Sequence, residues 1–183
     1  EMTSSLVGSE MCIRDRCGMV ASLTTGKKKY ASVEREIQQL LKSTNTLYDK
    51  LLDQVRADAE GFQPLSRAYA IPREDPTRAA VLQSAAETAC TAPLEIMDLC
   101  AAALSAAGRL AEIGSRLAVS DAGCAAAILR GALEAAALNV LVNTKTMTDR
   151  SAADHLNARC FALLDQGRTD GERIFCAVRD QLV

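Results

Sequence analysis

The sequence predicts an all-α fold, a mostly up-and-down bundle of five to six helices around a central apolar helix. Three observations lead there. Hydrophobic residues make up 49% of the chain while aromatics make up only 3%, and the apolar share is rich in alanine and leucine, both good helix formers. Four prolines in 183 residues leave long segments unbroken. Residues 119–143 read VSDAGCAAAILRGALEAAALNVLVN, and from Ala122 onward their only charges are Arg130 and Glu134. As one helix this stretch would be roughly 35 Å long. A helix apolar on nearly every side is either the inner helix of a domain or a membrane span. Two mid-helix charges, with Asn139 and Asn143, make spanning costly, so the stretch reads as the inner helix of a soluble bundle.

Composition excludes several function classes. A formal net charge of −2, from 21 Lys+Arg and 23 Asp+Glu, offers no electrostatic footprint for nucleic acid. Without tryptophan and with few other rings, a base-stacking platform is equally unsupported. The 7 cysteines (Cys12, Cys17, Cys90, Cys100, Cys124, Cys160, Cys176) form no CxxC pair and no metal-ligand spacing. An odd number in apolar surroundings reads as reduced thiols in a cytoplasmic protein, with Cys90 and Cys124 as small core residues. His155 is the only histidine, which leaves almost no material for a His-based metal cluster or a Ser-His-Asp triad. It falls on a polar helix face and reads as solvated.

Taken in order, residues 1–16 (EMTSSLVGSEMCIRDR) show neither helical period nor strand alternation. They also lack the basic start and apolar core of a signal peptide. They are read as a non-native or disordered leader, and residues 17–183 as the folded domain. Residues 19–23 resemble the last turns of a helix that Gly26 ends. Lys27, Lys28 and Lys29 follow, either offsetting the helix dipole or forming a cationic rim for an anion. In residues 32–70 the apolar positions Val33, Ile37, Leu40, Leu47, Leu51, Val55, Phe62, Leu65 and Tyr69, with Thr44, step by three and four. Asp58 fills the one gap in that face. A carboxylate there needs a partner, a raised pKa or a wet cavity; both a buried ion pair and a ligand-facing acid satisfy the pattern.

Gly61 and Pro64 are expected to weaken and kink this helix. Residues 71–76 (IPREDP) form a turn, residues 77–113 a helix interrupted or bent at Pro93, and residues 114–118 a link. Ser120 then stands where an N-cap belongs, with Asp121 in the first turn. Asn139 and Asn143 lie four apart on one face of the last turns. Both pairs admit a purely structural reading as well as a functional one. Residues 143–148 turn, and residues 149–182 form the last helix, with a loosening expected at 166–171.

The segments MVASLTTGKKKY (19–30), DAEGF (58–62), Ile71 with Pro72, APL (92–94), VSDAG (119–123) and NVLVN (139–143) occur together in an order that resembles one family. It is the cyclodeaminase/cyclohydrolase family, which includes the C-terminal domain of formiminotransferase-cyclodeaminase and free-standing bacterial relatives. The resemblance implies a helical subunit acting as a homodimer or larger oligomer on tetrahydrofolate derivatives. It implies no cofactor beyond the tetrahydrofolate substrate, no metal, and neither nucleic acid nor membrane as partner. Asp121 is then the first candidate for acid, base or electrostatic catalysis and Asp58 the second carboxylate. Asn139 and Asn143 would address the pterin edge, Ser120 would hold Asp121, and Lys27 and Lys28 would meet the glutamate carboxylates. The chain departs from the family's pattern in three places. The foreign-looking leader stands where relatives carry a Gly-rich segment and most of a first helix, Arg56 replaces a frequent acid, and Ser115 replaces an Asn. The alternative is therefore a truncated, non-catalytic helical oligomer that has lost its folate-binding loop.

Overall fold

The computed structural model describes residues 13–183. Five α-helices run through them: α1 Gly18–Thr24, α2 Glu34–Tyr69, α3 Arg78–Ile113, α4 Val119–Thr144 and α5 Arg150–Leu182. A π-helical turn, Ile13–Cys17, leads into α1, and 3-10 turns at Lys28–Tyr30 and Arg116–Ala118 precede α2 and α4. No strand occurs among the described residues. The leader assigned to residues 1–16 lies outside the described residues up to residue 12. Residues 13–17 are helical, and Arg16 ion-pairs with Asp121.

The four long helices alternate in direction, and α3 is the one in contact with α2, α4 and α5. The sequence pattern assigns the inner position to α4; within one chain it belongs to α3. Alanine explains the difference. Ala85, Ala86, Ala89, Ala92, Ala103, Ala106 and Ala107 of α3 are all buried, and small side chains on every face let three helices approach at once. Leu94, Ile96, Met97 and Leu104 fill the spaces between them, against Leu129, Leu133 and Val140 of α4 and Cys160 and Ile174 of α5. By length and composition α3 and α4 are each apolar enough to cross a bilayer. In α3 that surface faces the bundle. In α4 Ile128, Leu138 and Val142 remain 37%, 67% and 56% exposed.

Several local expectations are corrected. α2 is assigned as one helix through Gly61 and Pro64, and α3 as one helix through Pro93, so the interruption expected at Pro93 does not occur. In a 36-residue helix packed along its length, one lost backbone bond is outweighed by tertiary burial. α5 is likewise continuous where loosening was expected. Gly167 and Gly171 are there because Leu133 and Arg130 of α4 press against the backbone: a Cβ at either would lie 2.5 or 2.9 Å from them. Ser120 is not an N-cap. The helix begins at Val119 after Ala118, with no side-chain cap, because the 3-10 turn feeds directly into it. Cys124 is exposed, whereas Cys90, Cys100 and Cys160 are buried as small core residues. Burial pushes the Cys90 thiol up to about 11 and that of Cys100 up to about 12, so both are inert at neutral pH.

Gly26, with φ of 74°, ends the α1 region as expected. Gly114 has a different role, as the extended residue closing α3. A Cβ there would sit 2.5 Å from both the Leu110 carbonyl oxygen and Val20 Cγ1. Gly114→Ala should therefore destabilise the fold by about 1–3 kcal/mol, measured as a lower urea midpoint with an unchanged slope.

Candidate functional site

Pro93 of α3 lies one turn after Ala89 and is buried. It has no N–H to give to the carbonyl of residue 89, so that buried acceptor is orphaned. Asn143, near the end of α4, supplies the missing donor: its Nδ2 donates to Ala89 O at 3.0 Å. This fixes the orientation of a side chain only 8% exposed, because a carbonyl accepts only from the NH₂ side of the amide. The Asn143 carboxamide oxygen is thereby turned away from Ala89. Above it opens a cavity of about 270 Å³ lined by Asp58, Phe62 and Tyr69 of α2, Ala89 of α3, and Asn139, Val142 and Asn143 of α4.

Asp58 is half-buried in this cavity and has no ion pair among the described residues. Burial pushes its carboxyl above the ordinary value, since a low-polarity wall disfavours the charged form. The cavity thus presents one acid, two carboxamides and two exposed rings. Phe62 and Tyr69, at 45% and 46% exposure, do not belong to the core as the period of α2 implies. They stand at the cavity and leave its apolar face open. Asp58 and Phe62 are four residues apart, and so are Asn139 and Asn143, so each pair shares a helix face. That spacing is the sequence signal for the rings; only the tertiary structure shows that they line a cavity.

The remaining predicted residues lie at the other end of the bundle. Asp121 sits in the first turn of α4, where the dipole favours a carboxylate, and its Oδ1 accepts from Arg16 Nη1 at 2.9 Å. Ser120 beside it is exposed, as are Lys27 and Lys28. Asn139 is eighteen residues further along α4, roughly 27 Å at the α-helical rise. Asp58 and Asp121 therefore do not meet within one chain. The predicted residues form two groups: Asp58, Asn139 and Asn143 around a cavity, and Lys27, Lys28, Ser120 and Asp121 near the opposite end. Arg16, the partner of Asp121, carries no period or motif by which the sequence would single it out. His155 is exposed on α5 and takes no part in either group.

The sequence profile described as formiminotransferase-cyclodeaminase matches residues 16–162. The chain belongs to that family. Within the family, it is 35% identical over 168 residues to a methenyltetrahydrofolate cyclohydrolase of Methylorubrum extorquens, covering 90% of this chain and 81% of that one. It is 29% identical over 155 residues to a formimidoyltransferase-cyclodeaminase of Sus scrofa, covering 82% of this chain but 29% of the longer protein. The crystal structure of a formiminotetrahydrofolate cyclodeaminase from Thermotoga maritima superposes with a TM-score of 0.82 at 24% identity, covering 99% of this chain and 86% of that one. At that identity the likeness establishes the helical fold alone. Asp58, Asp121, Asn139 and Asn143 all fall inside the span the family profile matches.

The raised Asp58 pKa has a stability consequence whose sign follows from linkage. The native state favours the protonated acid, so its contribution is full at low pH and is lost as pH rises through the native pKa. Asp58→Asn should raise the melting temperature near pH 7, with the two proteins converging as pH falls through the carboxylate range. Thermal unfolding across a pH series measures it. A variant equally stable at every pH would contradict the burial.

Proposed function

We propose that this protein is a folate one-carbon enzyme, a methenyltetrahydrofolate cyclohydrolase or formiminotetrahydrofolate cyclodeaminase, acting as a homodimer with Asp58 and Asp121 contributed by different protomers. The observation that carries the reading is Asp58: a half-buried carboxylate of raised pKa, without an ion pair among the described residues, in a cavity shared with Asn139 and Asn143. Its presence in a chain of this family makes the cavity the natural seat of the reacting ring. The Asn139 carboxamide and the free oxygen of Asn143 suit a pterin edge, which alternates donors and acceptors. Phe62 and Tyr69 supply apolar walls.

Both reactions interconvert a delocalised 5,10-methenyl cation and a tetrahedral adduct. In the hydrolytic direction water attacks the methenyl carbon and loses one proton; N5 then takes a proton as its bond to that carbon breaks, and the remaining hydroxyl proton leaves as the formyl carbonyl of 10-formyltetrahydrofolate forms. In the deaminating direction N10 attacks the formimino carbon and protonated nitrogen departs as ammonia. A carboxylate beside the cation stabilises it electrostatically and carries the proton. A carboxyl whose pKa is raised by burial holds its proton more readily than a solvated one, which suits an acid that must both take and return it, an effect worth about 10²–10⁴-fold.

The dimer supplies what one chain lacks. Cys124, Ile128, Gly131, Leu138 and Val142 leave an exposed stripe along α4. A Cβ at Gly131 would meet nothing within 4 Å, so no contact inside the chain explains a glycine in mid-helix, where it costs about 1 kcal/mol. A second copy crossing there antiparallel accounts for both the glycine and the open face. With the two-fold axis at Gly131, which lies ten residues after Asp121 and eight before Asn139, Asp121 of one protomer comes level with the cavity of the other. Lys27 and Lys28 then approach the same composite site, where they fit the carboxylates of a glutamyl tail. The cytoplasm, the usual compartment of reduced thiols, is the setting this reading implies.

Asp58→Asn and Asp121→Asn should each lower turnover by about 10²–10⁴-fold with helical circular dichroism unchanged, followed by the absorbance of methenyltetrahydrofolate. Mixed in equal amounts and allowed to exchange subunits, the two inactive variants should recover about a quarter of native activity, because half the dimers then hold one intact site. No recovery after demonstrated exchange would remove the composite site. The truncated, non-catalytic alternative predicts no thermal stabilisation by 5-formyltetrahydrofolate, whereas native-state binding must produce it.

A further inference from the structure

We propose that Pro93 is a positioning residue for the Asp58 cavity. By withholding an N–H from Ala89 O, it holds the Asn143 carboxamide oxygen as an acceptor for a ligand that donates a hydrogen bond there. Any other residue at position 93 would give its N–H to the carbonyl four residues back. Proline has none to give, and Asn143 Nδ2 donates to Ala89 O instead, at 3.0 Å. Asn143 and Ala89 are both buried, so water does not compete for that carbonyl. A carboxamide anchored through its nitrogen points its oxygen the other way. The Asn143 oxygen accepts no hydrogen bond from a described residue, and Asn143 lines the cavity.

The backbone beneath Asn143 is held on two sides. Cys90 Sγ, beside Ala89, donates to the Val140 carbonyl oxygen at 3.8 Å across the same α3–α4 seam. Thr144 Oγ1 donates to Asn157 Oδ1 of α5 at 2.7 Å. Carrying Asn143 away from Ala89 would therefore break contacts to two helices. Asn139 gives the contrast. One turn earlier on the same face, it lines the same cavity, yet its side chain makes no hydrogen bond among the described residues. The Asn139 amide is free to turn either end to a ligand, whereas that of Asn143 is set before any ligand arrives. A fixed acceptor favours a ligand bringing an N–H and rejects one bringing a carbonyl, which would leave two acceptors face to face. This ligand preference rests on the folate reading, in which the donor is an N–H of the pterin ring.

Four proteins test it: the native chain, Pro93→Ala, Asn143→Ala and the double variant, each checked for helix content by circular dichroism. Alanine suits a helix interior better than proline, and Pro93→Ala returns an N–H to Ala89 O. Urea unfolding reads the anchoring. Asn143→Ala should lower the midpoint clearly in the native background, where it orphans a buried carbonyl, and much less in the Pro93→Ala background. Kinetics with methenyltetrahydrofolate read the positioning. Pro93→Ala should raise KM about three- to tenfold, the scale of one neutral hydrogen bond, with a smaller change in kcat. Adding it to Asn143→Ala should raise KM no further, because both substitutions act through one amide. KM effects that add, an unchanged KM in Pro93→Ala, or equal midpoint losses in the two backgrounds would overturn the proposal. In a protein inactive on every folate, the midpoints alone would decide the positioning, and the folate reading alone would fall.

Discussion

One buried hydrogen bond joins the fold to the cavity. Pro93 leaves the Ala89 carbonyl without its helical donor, and Asn143 fills the vacancy from α4. An unsatisfied buried carbonyl costs about 1–3 kcal/mol, so this contact sets the register of α4 against α3 as well as closing a gap. It also fixes the amide: the nitrogen is committed to Ala89, and the oxygen is turned away from it. A proline that would ordinarily weaken a helix is here the reason Asn143, which lines the cavity, is tied to Ala89.

Helix rigidity sets the second constraint. α4 runs from Asp121 to Asn143 without a break, so its two polar ends stay roughly 30 Å apart. No rearrangement of side chains brings Asp121 to Asp58 inside one chain. The same helix leaves an apolar stripe unburied and carries a glycine that no neighbour requires. The antiparallel second copy proposed above would account for both features with one operation, since reversal about the middle of a helix sets its start beside its end. In that arrangement the two groups of candidate residues would be two halves of one site.

The two ends of the chain's site differ in physical character. The Asp58 cavity is partly apolar and carries a carboxyl whose pKa is raised by burial. At the other end Asp121 is paired with Arg16, and Lys27, Lys28 and Ser120 are exposed.

The all-helical architecture was legible in the sequence because apolar period, alanine content and turn residues act locally and agree with one another. Asp58 was legible as an anomaly, since a carboxylate interrupting an apolar face needs an explanation whatever surrounds it. The resemblance in motif order supplied Asp121, Asn139 and Asn143. By itself the sequence determined which residues share a helix face and which of them are chemically out of place. Only the tertiary structure decided which face is covered. Phe62 and Tyr69 fit a core period yet line a cavity, Cys124 is exposed, Ser120 caps nothing, and α3 takes the inner position suggested for α4. Periodicity records the side of a helix a residue occupies, but burial depends on what packs against that side, and this is set by contacts between residues far apart in the chain.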